Sequence, residues 1–184
     1  MTEAAIRESV EDDLPEIAAI YGHHVAHGLA SFEETAPSLD EMRRRRGELL
    51  AKGYPYLVAA TRPAGRVLGF AYAGPYRVRS AYRFSVENSV YLAPDAIRRG
   101  IGRRLLEALI ARCTEGGFRQ MVAVIGDSAN AASIRLHEAA GFRRVGVLTA
   151  IGYKQGRWVD SVLMQLALGP GASINPGRDA PGVR

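Results

Sequence analysis

Residues 90–106, VYLAPDAIRRGIGRRLL, constrain this chain more than any other stretch. An apolar run of β type ends at Leu92, a Pro-Asp loop follows, and Gly100 and Gly102 then lead into an amphipathic helical pattern. The unit reads as strand, loop and helix, with glycines at the helix entrance. Such an entrance exposes unpaired backbone N–H groups and the positive end of the helix dipole, so it suits an anionic phosphate. Glycine lets a ligand approach the backbone closely, and Arg98, Arg99, Arg103 and Arg104 add positive charge nearby. The spacing argues against the commoner phosphate loops. No G-x-x-x-x-G-K-[ST] occurs, and Leu105 stands where a Rossmann loop needs its third glycine. On the loop alone, a glycine-bearing turn that merely starts a helix is the alternative.

A chain of 184 residues reads as one domain able to bury a sizeable core. No apolar run approaches the roughly 20 residues that cross a bilayer. The first residues, MTEAAIRESVEDD, are acidic and lack the basic-then-apolar order of a signal peptide. The single cysteine, Cys113, permits no internal disulfide, so a cytoplasmic protein without membrane attachment is expected. The net charge of +5 is arginine-driven, with a run at Arg43–Arg46. That run follows a capping box, Ser38 with Glu41, so it reads as a solvated helix face and not as a nucleic-acid surface.

Apolar spacing predicts a helix from Leu14-Pro15 to Gly28 and a second from about Leu39 to Ala51. A hairpin follows, Tyr56–Ala60 and Val67–Ala73, with residues 61–65 as its turn. Phe84–Leu92 reads as a long strand. The third helix carries the stripe Ile101, Leu105, Leu106, Leu109, Ile110 and Cys113, and ends at Gly116-Gly117. Met121–Ile125 is a continuous apolar run suited to a buried parallel strand. A fourth helix runs Ala131–Ala140, and two strands follow near 142–152 and 158–167. The order α, α, β-hairpin, β, α, β, α, β, β implies an α/β (α+β) protein with a mixed sheet flanked by helices. One domain is expected over 1–168, with 169–184 a disordered tail rich in Gly and Pro.

These segments resemble the GCN5-related N-acetyltransferases, and more narrowly their phosphinothricin and methionine-sulfoximine acetyltransferase branch. The likeness covers roughly residues 4–168. It rests on the glycine loop, on NAASIRLHEAAGF at 130–142, and on four further segments: Ser31–Glu33, Tyr82–Leu92, Val122–Asn130 and Gly152–Asp160. The loop departs from the family's [QR]-x-x-G-x-[GA] in carrying Ile97 at the Gln/Arg position, and Arg98 replaces a common glycine. Ala30 stands where the branch usually has threonine.

The resemblance implies a partly splayed sheet and acetyl transfer from acetyl-CoA to the amine of a small amino acid or analogue, by direct attack in a ternary complex. No metal is implied. Glu87, a carboxylate interrupting an apolar β-run, is the candidate base. His137 occupies the position where many family members carry a proton-donating tyrosine. Cofactor contacts are expected from Ser89, Val90 and Tyr91, from the loop Ile97, Arg98, Arg99, Gly100, Ile101, Gly102 and Arg103, and from Asn130 and Ser133. Substrate contacts are expected from Phe32, Tyr76, Arg77, Val78, Val86, Glu87, Asn88 and Lys154. Lys154 and Trp158 fall in a segment like the branch's dimer-facing hairpin, so a homodimer is expected. Cys113, on the apolar stripe, reads as a buried inert thiol. The competing readings are an inactive acyl-CoA-binding sensor and a protein or peptide N-acetyltransferase.

Overall fold

The structure is a computed structural model and describes residues 4–61 and 65–177. In chain order its main elements are β1 (Ala4–Glu8), α1 (Leu14–His27), α2 (Leu39–Ala51), β2 (Tyr56–Thr61), β3 (Val67–Pro75), β4 (Ser85–Leu92), α3 (Ile101–Glu115), β5 (Gln120–Gly126), α4 (Ala131–Ala139), β6 (Arg143–Lys154) and β7 (Arg157–Ala167). Residues 62–64 of the expected hairpin turn lie outside the described residues.

The helix ends follow local chemistry. Pro15 sits in the first turn of α1 and Gly28 caps its end. The Ser38 side chain accepts the Glu41 N–H at the start of α2. Leu14, Ile17, Ile20, Tyr21 and Val25 bury one face of α1, while Ile101, Leu105, Leu106, Leu109 and Cys113 bury one face of α3. Arg43 to Arg46 on α2 are engaged: Arg43 with Glu11 and Asp40, Arg44 with Glu41 and Glu48, Arg45 with Glu33 and Glu41, and Arg46 with Ser9.

The strands form one seven-stranded sheet in the order β1-β2-β3-β4-β5-β7-β6. Only the β4–β5 pair is parallel; the other pairs are antiparallel. Strand β1 corrects the element order expected from sequence. Its five residues, AAIRE, carry no clear alternation, and the strand exists because it pairs with β2 from Ala4↔Thr61 to Glu8↔Leu57. Arg104 fastens it further by donating to the Ala4 carbonyl at 2.8 Å.

The β4–β5 ladder runs from Ser85↔Gln120 to Asn88↔Ala123 and stops there. Beyond it β4 stays paired with β3 as far as Leu92↔Gly69, and β5 stays paired with β7 as far as Gly126↔Ser161. The two central strands therefore diverge after Asn88, and the sheet is splayed as expected. Side chains alternate across β4. Glu87, Ser89 and Tyr91 share the face of α1, where the Tyr91 ring meets Tyr21 edge-on at 5.0 Å. Val86, Asn88, Val90 and Leu92 share the face of α3 and α4.

Strand β6 is a sheet edge and is exposed along nearly its whole length. Residues 169–173, assigned by composition to the tail, form turns closed by Gly171 N–H to Leu168 O and Ser173 N–H to Pro170 O. Residues 178–184 lie outside the described residues.

Candidate active site

The divergence of β4 and β5 opens a cleft in the sheet. Ser89, Val90 and Tyr91 border it on one side and Val124, Ile125 and Gly126 on the other, with Asn130, Ser133 and His137 closing the α4 end. Past Asn88, the main chain of β4 has no β5 partner, so its amide and carbonyl groups on that side are open to a ligand.

The glycine loop stands at the start of α3. Gly100 is the residue before the first helical turn and adopts φ +73°, a left-handed conformation natural to glycine. No side chain caps the helix there, so its first amides are available to an anion. Arg98 also lies in the left-handed region, at φ +60°. Ile97, Arg98 and Arg99 are exposed. Gly102 is buried, and a Cβ there would meet Leu92 and Leu136 at ordinary contact distances of 3.4 and 3.6 Å. Two arginines named with this loop have other partners. Arg103 pairs with Glu107 at 2.7 Å, and Arg104 serves β1.

Glu87 is half-buried on the α1 side of β4, directly across from Gly74 of β3. Burial pushes its carboxyl above the ordinary carboxylate value, with the positive charge of Arg77 opposing. Arg77 lies over the Tyr76 ring at 5.1 Å, and Tyr76 meets Tyr82 edge-on. Val78 is 97% exposed, whereas Val86 is wholly buried in the core.

Asn88 points to the opposite face from Glu87. Its Nδ2 lies 2.9 Å from Nε2 of His137, and it faces the histidine, not the Glu87 side. His137 is 4% exposed. Its Nδ1 donates to the Ser133 carbonyl at 2.8 Å, and burial holds the imidazole below its usual pKa. The Asn130 side chain accepts the Ser133 N–H at 3.2 Å, capping α4.

Phe32 packs its ring between Gly126 and Gly152. Lys154 is buried within its own chain and donates from Nζ to the Ser31 carbonyl at 2.7 Å. It thereby supports the loop that carries Phe32. Burial lowers its pKa, with Glu34 and Glu33 opposing. Cys113 is buried on α3, and its thiol is pushed up to about 12.

Sequence reasoning missed a second cavity of about 260 Å³ between α2 and the sheet. Tyr56 and Tyr72 form its floor, stacked at 5.1 Å; Tyr21 forms a wall, and Met42, Arg45 and Leu49 the roof. Tyr72 feels the charge of Glu87, so this cavity and the candidate base are electrostatic neighbours. These tyrosines come from three separate elements with no shared motif, and only strand register could have joined them. Also missed was His24, whose Nε2 donates to the Leu92 carbonyl at 2.8 Å and ties α1 to the end of β4.

Comparison with known proteins accords with this geometry. Residues 19–142 match the acetyltransferase (GNAT) family. The chain is 55% identical to the phosphinothricin N-acetyltransferase of Alcaligenes faecalis, over 93% of this chain and 86% of that one. It is 42% identical to the L-methionine sulfoximine/L-methionine sulfone acetyltransferase of Pseudomonas paraeruginosa, over 97% and 99%. The crystal structure of a phosphinothricin acetyltransferase from Sinorhizobium meliloti in complex with AcCoA has a TM-score of 0.92 at 47% identity, covering 98% of this chain and 96% of that one. That of the ribosomal-protein-alanine N-acetyltransferase from Brucella melitensis has a TM-score of 0.86 at 40% identity, over 89% and 99%. The chain belongs to the GNAT acetyltransferase family.

Proposed function

We propose that this protein transfers the acetyl group of acetyl-CoA to the amine of a small amino acid or analogue of the phosphinothricin, methionine sulfoximine or methionine sulfone type. The observation that carries the reading is a half-buried carboxylate, Glu87, on the strand whose unpaired edge forms one side of the cleft. The relatives' substrates support the choice of acceptor.

The residues present fit acetyl-CoA. The open main-chain groups of Ser89, Val90 and Tyr91 suit the amides of a pantetheine arm. The uncapped amides at Gly100–Arg103 suit a pyrophosphate, with Arg98 and Arg99 adding charge. Asn130 and Ser133 close the cleft at the start of α4. When bound, acetyl-CoA supplies an activated acetyl thioester.

The protein's own groups then do three things. Arg77 orients the acceptor through its carboxylate. Glu87 takes a proton from the acceptor ammonium, and its burial-raised pKa brings it closer to that task. His137, on the other face of β4, is the group on the cleft able to exchange a proton with the departing sulfur. The cavity beside Glu87 offers room for the acceptor side chain.

The reading includes a single catalytic domain over 1–168 with 169–184 appended as a tail, and a cytoplasmic location supported by the lone cysteine. It also includes a homodimer. The β6–β7 hairpin exposes Ile151, Tyr153 and Trp158 at 57%, 58% and 66% on a sheet edge, a surface that calls for cover.

Thiol release from acetyl-CoA with a panel of amino acids, their amides and short peptides tests the assignment. The expected result is high kcat/KM for a free amino-acid analogue and a far larger loss on amidating its carboxylate than on shortening its side chain by one methylene, which costs about 1–3 kcal/mol. Peptides outperforming every amino acid would favour the second reading, suggested by the Brucella melitensis likeness. No turnover with acetyl-CoA still bound would favour a sensor.

A further inference from the structure

We infer that Asn88 is a positioning residue that gates protonation of His137 at Nε2. The inference rests on reading His137 as part of the acetyl-transfer site.

Nδ1 of His137 lies 2.8 Å from the carbonyl oxygen of Ser133. A carbonyl only accepts, so Nδ1 carries a hydrogen. A neutral imidazole has one N–H, which leaves Nε2 as a bare lone pair. The partner of that lone pair is Nδ2 of Asn88, at 2.9 Å. Turning the Asn88 amide over would set Oδ1 against the same lone pair, which is repulsive unless Nε2 is protonated. One amide orientation therefore matches the neutral ring and the other matches imidazolium.

The rest of the amide carries the same message. Oδ1 of Asn88 is buried without a hydrogen-bond partner. Nδ2 is held by the histidine, and the same amide keeps one oxygen without a protein partner beside it. Protonation of Nε2 would give Oδ1 its partner as the amide turns.

Among the described residues, no charged side chain hydrogen-bonds to the ring. From α4 itself, Arg135 and Glu138 are exposed on the outer turns. From β4 the neighbouring carboxylate, Glu87, projects from the opposite face. The stretch of β5 beside the cleft, Ala123–Gly126, has no titratable group, and after α4 the ring meets Phe142 edge-on at 5.0 Å. Two neutral groups, the Ser133 carbonyl and the Asn88 amide, decide which nitrogen bears the proton. Nδ1–H is fixed by the helix, so Nε2 is the nitrogen that gains or loses a proton, and Asn88 gates it.

Long-range proton–nitrogen correlation spectra of the full chain test this directly. The chain has four histidines, and His137→Gln assigns the signal. At about pH 8 wild-type His137 is expected as the Nδ1–H tautomer, with a titration midpoint below that of a free histidine. In Asn88→Asp the carboxylate accepts from Nε2–H, so the midpoint should rise by about one unit or more, and the pH profile of kcat should move with it. Asn88→Leu removes the donor without adding charge; the Ser133 carbonyl should keep the Nδ1–H tautomer, while the Nε2 shift and the titration midpoint move from their wild-type values. An Nε2–H tautomer in wild type overturns the inference, as does an unmoved midpoint in folded Asn88→Asp. Should Asn88→Asp fail to fold, Asn88→Leu decides, and an unmoved Nε2 shift and midpoint there overturns the inference. Because the tautomer is read without turnover, a protein inactive toward every amine would sink the proposed function while these spectra still decide the role of Asn88.

Discussion

The ring of Phe32 occupies the space where a side chain on Gly152 would begin: a Cβ there would overlap Cε2 and stand 2.7 Å from Cδ2. Phe32 belongs to the loop after α1 and Gly152 to the edge strand β6, so the contact joins the loop to the far side of the sheet. Lys154, two residues on, donates to the Ser31 carbonyl and secures the same junction.

Gly152→Ala should therefore displace the ring. Phe32 is 41% exposed and can swing outward, so the stability loss should stay below about 1 kcal/mol. KM for the amine should rise while KM for acetyl-CoA holds. Gly126→Ala is the contrast, because its Cβ would overlap the Leu29 carbonyl, which cannot swing away. A loss of about 1–3 kcal/mol is expected in denaturant titration.

Gly100 separates conformation from ligand space. A Cβ at Gly100 meets nothing within 4 Å, yet φ is +73°. Gly100→Ala should cost about 1–2 kcal/mol in backbone strain and little coenzyme A affinity. Gly100→Glu adds bulk and negative charge where the pyrophosphate is expected and should abolish binding in calorimetry. Unchanged affinity in folded Gly100→Glu would remove the loop from the cofactor site.

Glu87→Gln keeps the shape and removes proton acceptance. A kcat loss of roughly 10²–10⁴ is expected. In wild type the acid limb of kcat/KM should lie above the ordinary carboxylate range, because burial raises this group, and it should vanish in the variant. Activity within a few-fold of wild type would show that Glu87 is not the base.

His24 and His137 both have folded-state pKa values lowered from 6.5 by burial. The unfolded chain protonates them first as pH falls. Stability is thus full above about 6.5 and declines below it, until each folded-state pKa is passed. His137→Gln should remove part of the slope of unfolding free energy against pH below 6.5, even where it lowers the overall value. An identical slope in the variant would mean that His137 is not buried as the neutral ring.

Trp158→Glu combined with Ile151→Lys places opposite charges on the exposed hairpin surface. The wild type should show a dimer mass in light scattering and the variant a monomer. A concentration-independent monomer mass for the wild type would refute the dimer.

Helices α1 and α2 were legible because Pro15, Gly28 and Ser38 mark their ends chemically. The strand–loop–helix around Gly100 was legible for the same reason. Strand β1 was not, since a short strand without alternation acquires its conformation only from the partner it pairs with.

Local patterns along the chain show which residue types are available: a carboxylate in an apolar run, a histidine on a helix, glycines at a helix entrance. How they meet follows from the fold. Adjacent positions on a strand point to opposite faces, so Glu87 and Asn88 serve opposite sides of the sheet, and only the α1 side puts Glu87 near the tyrosine-floored cavity. Asn88 met His137 across 49 residues of chain, and Lys154 met Ser31 across 123. Such pairings follow from strand order and from where β4 and β5 part. Those are set by long-range burial and register, which no local period in the chain records.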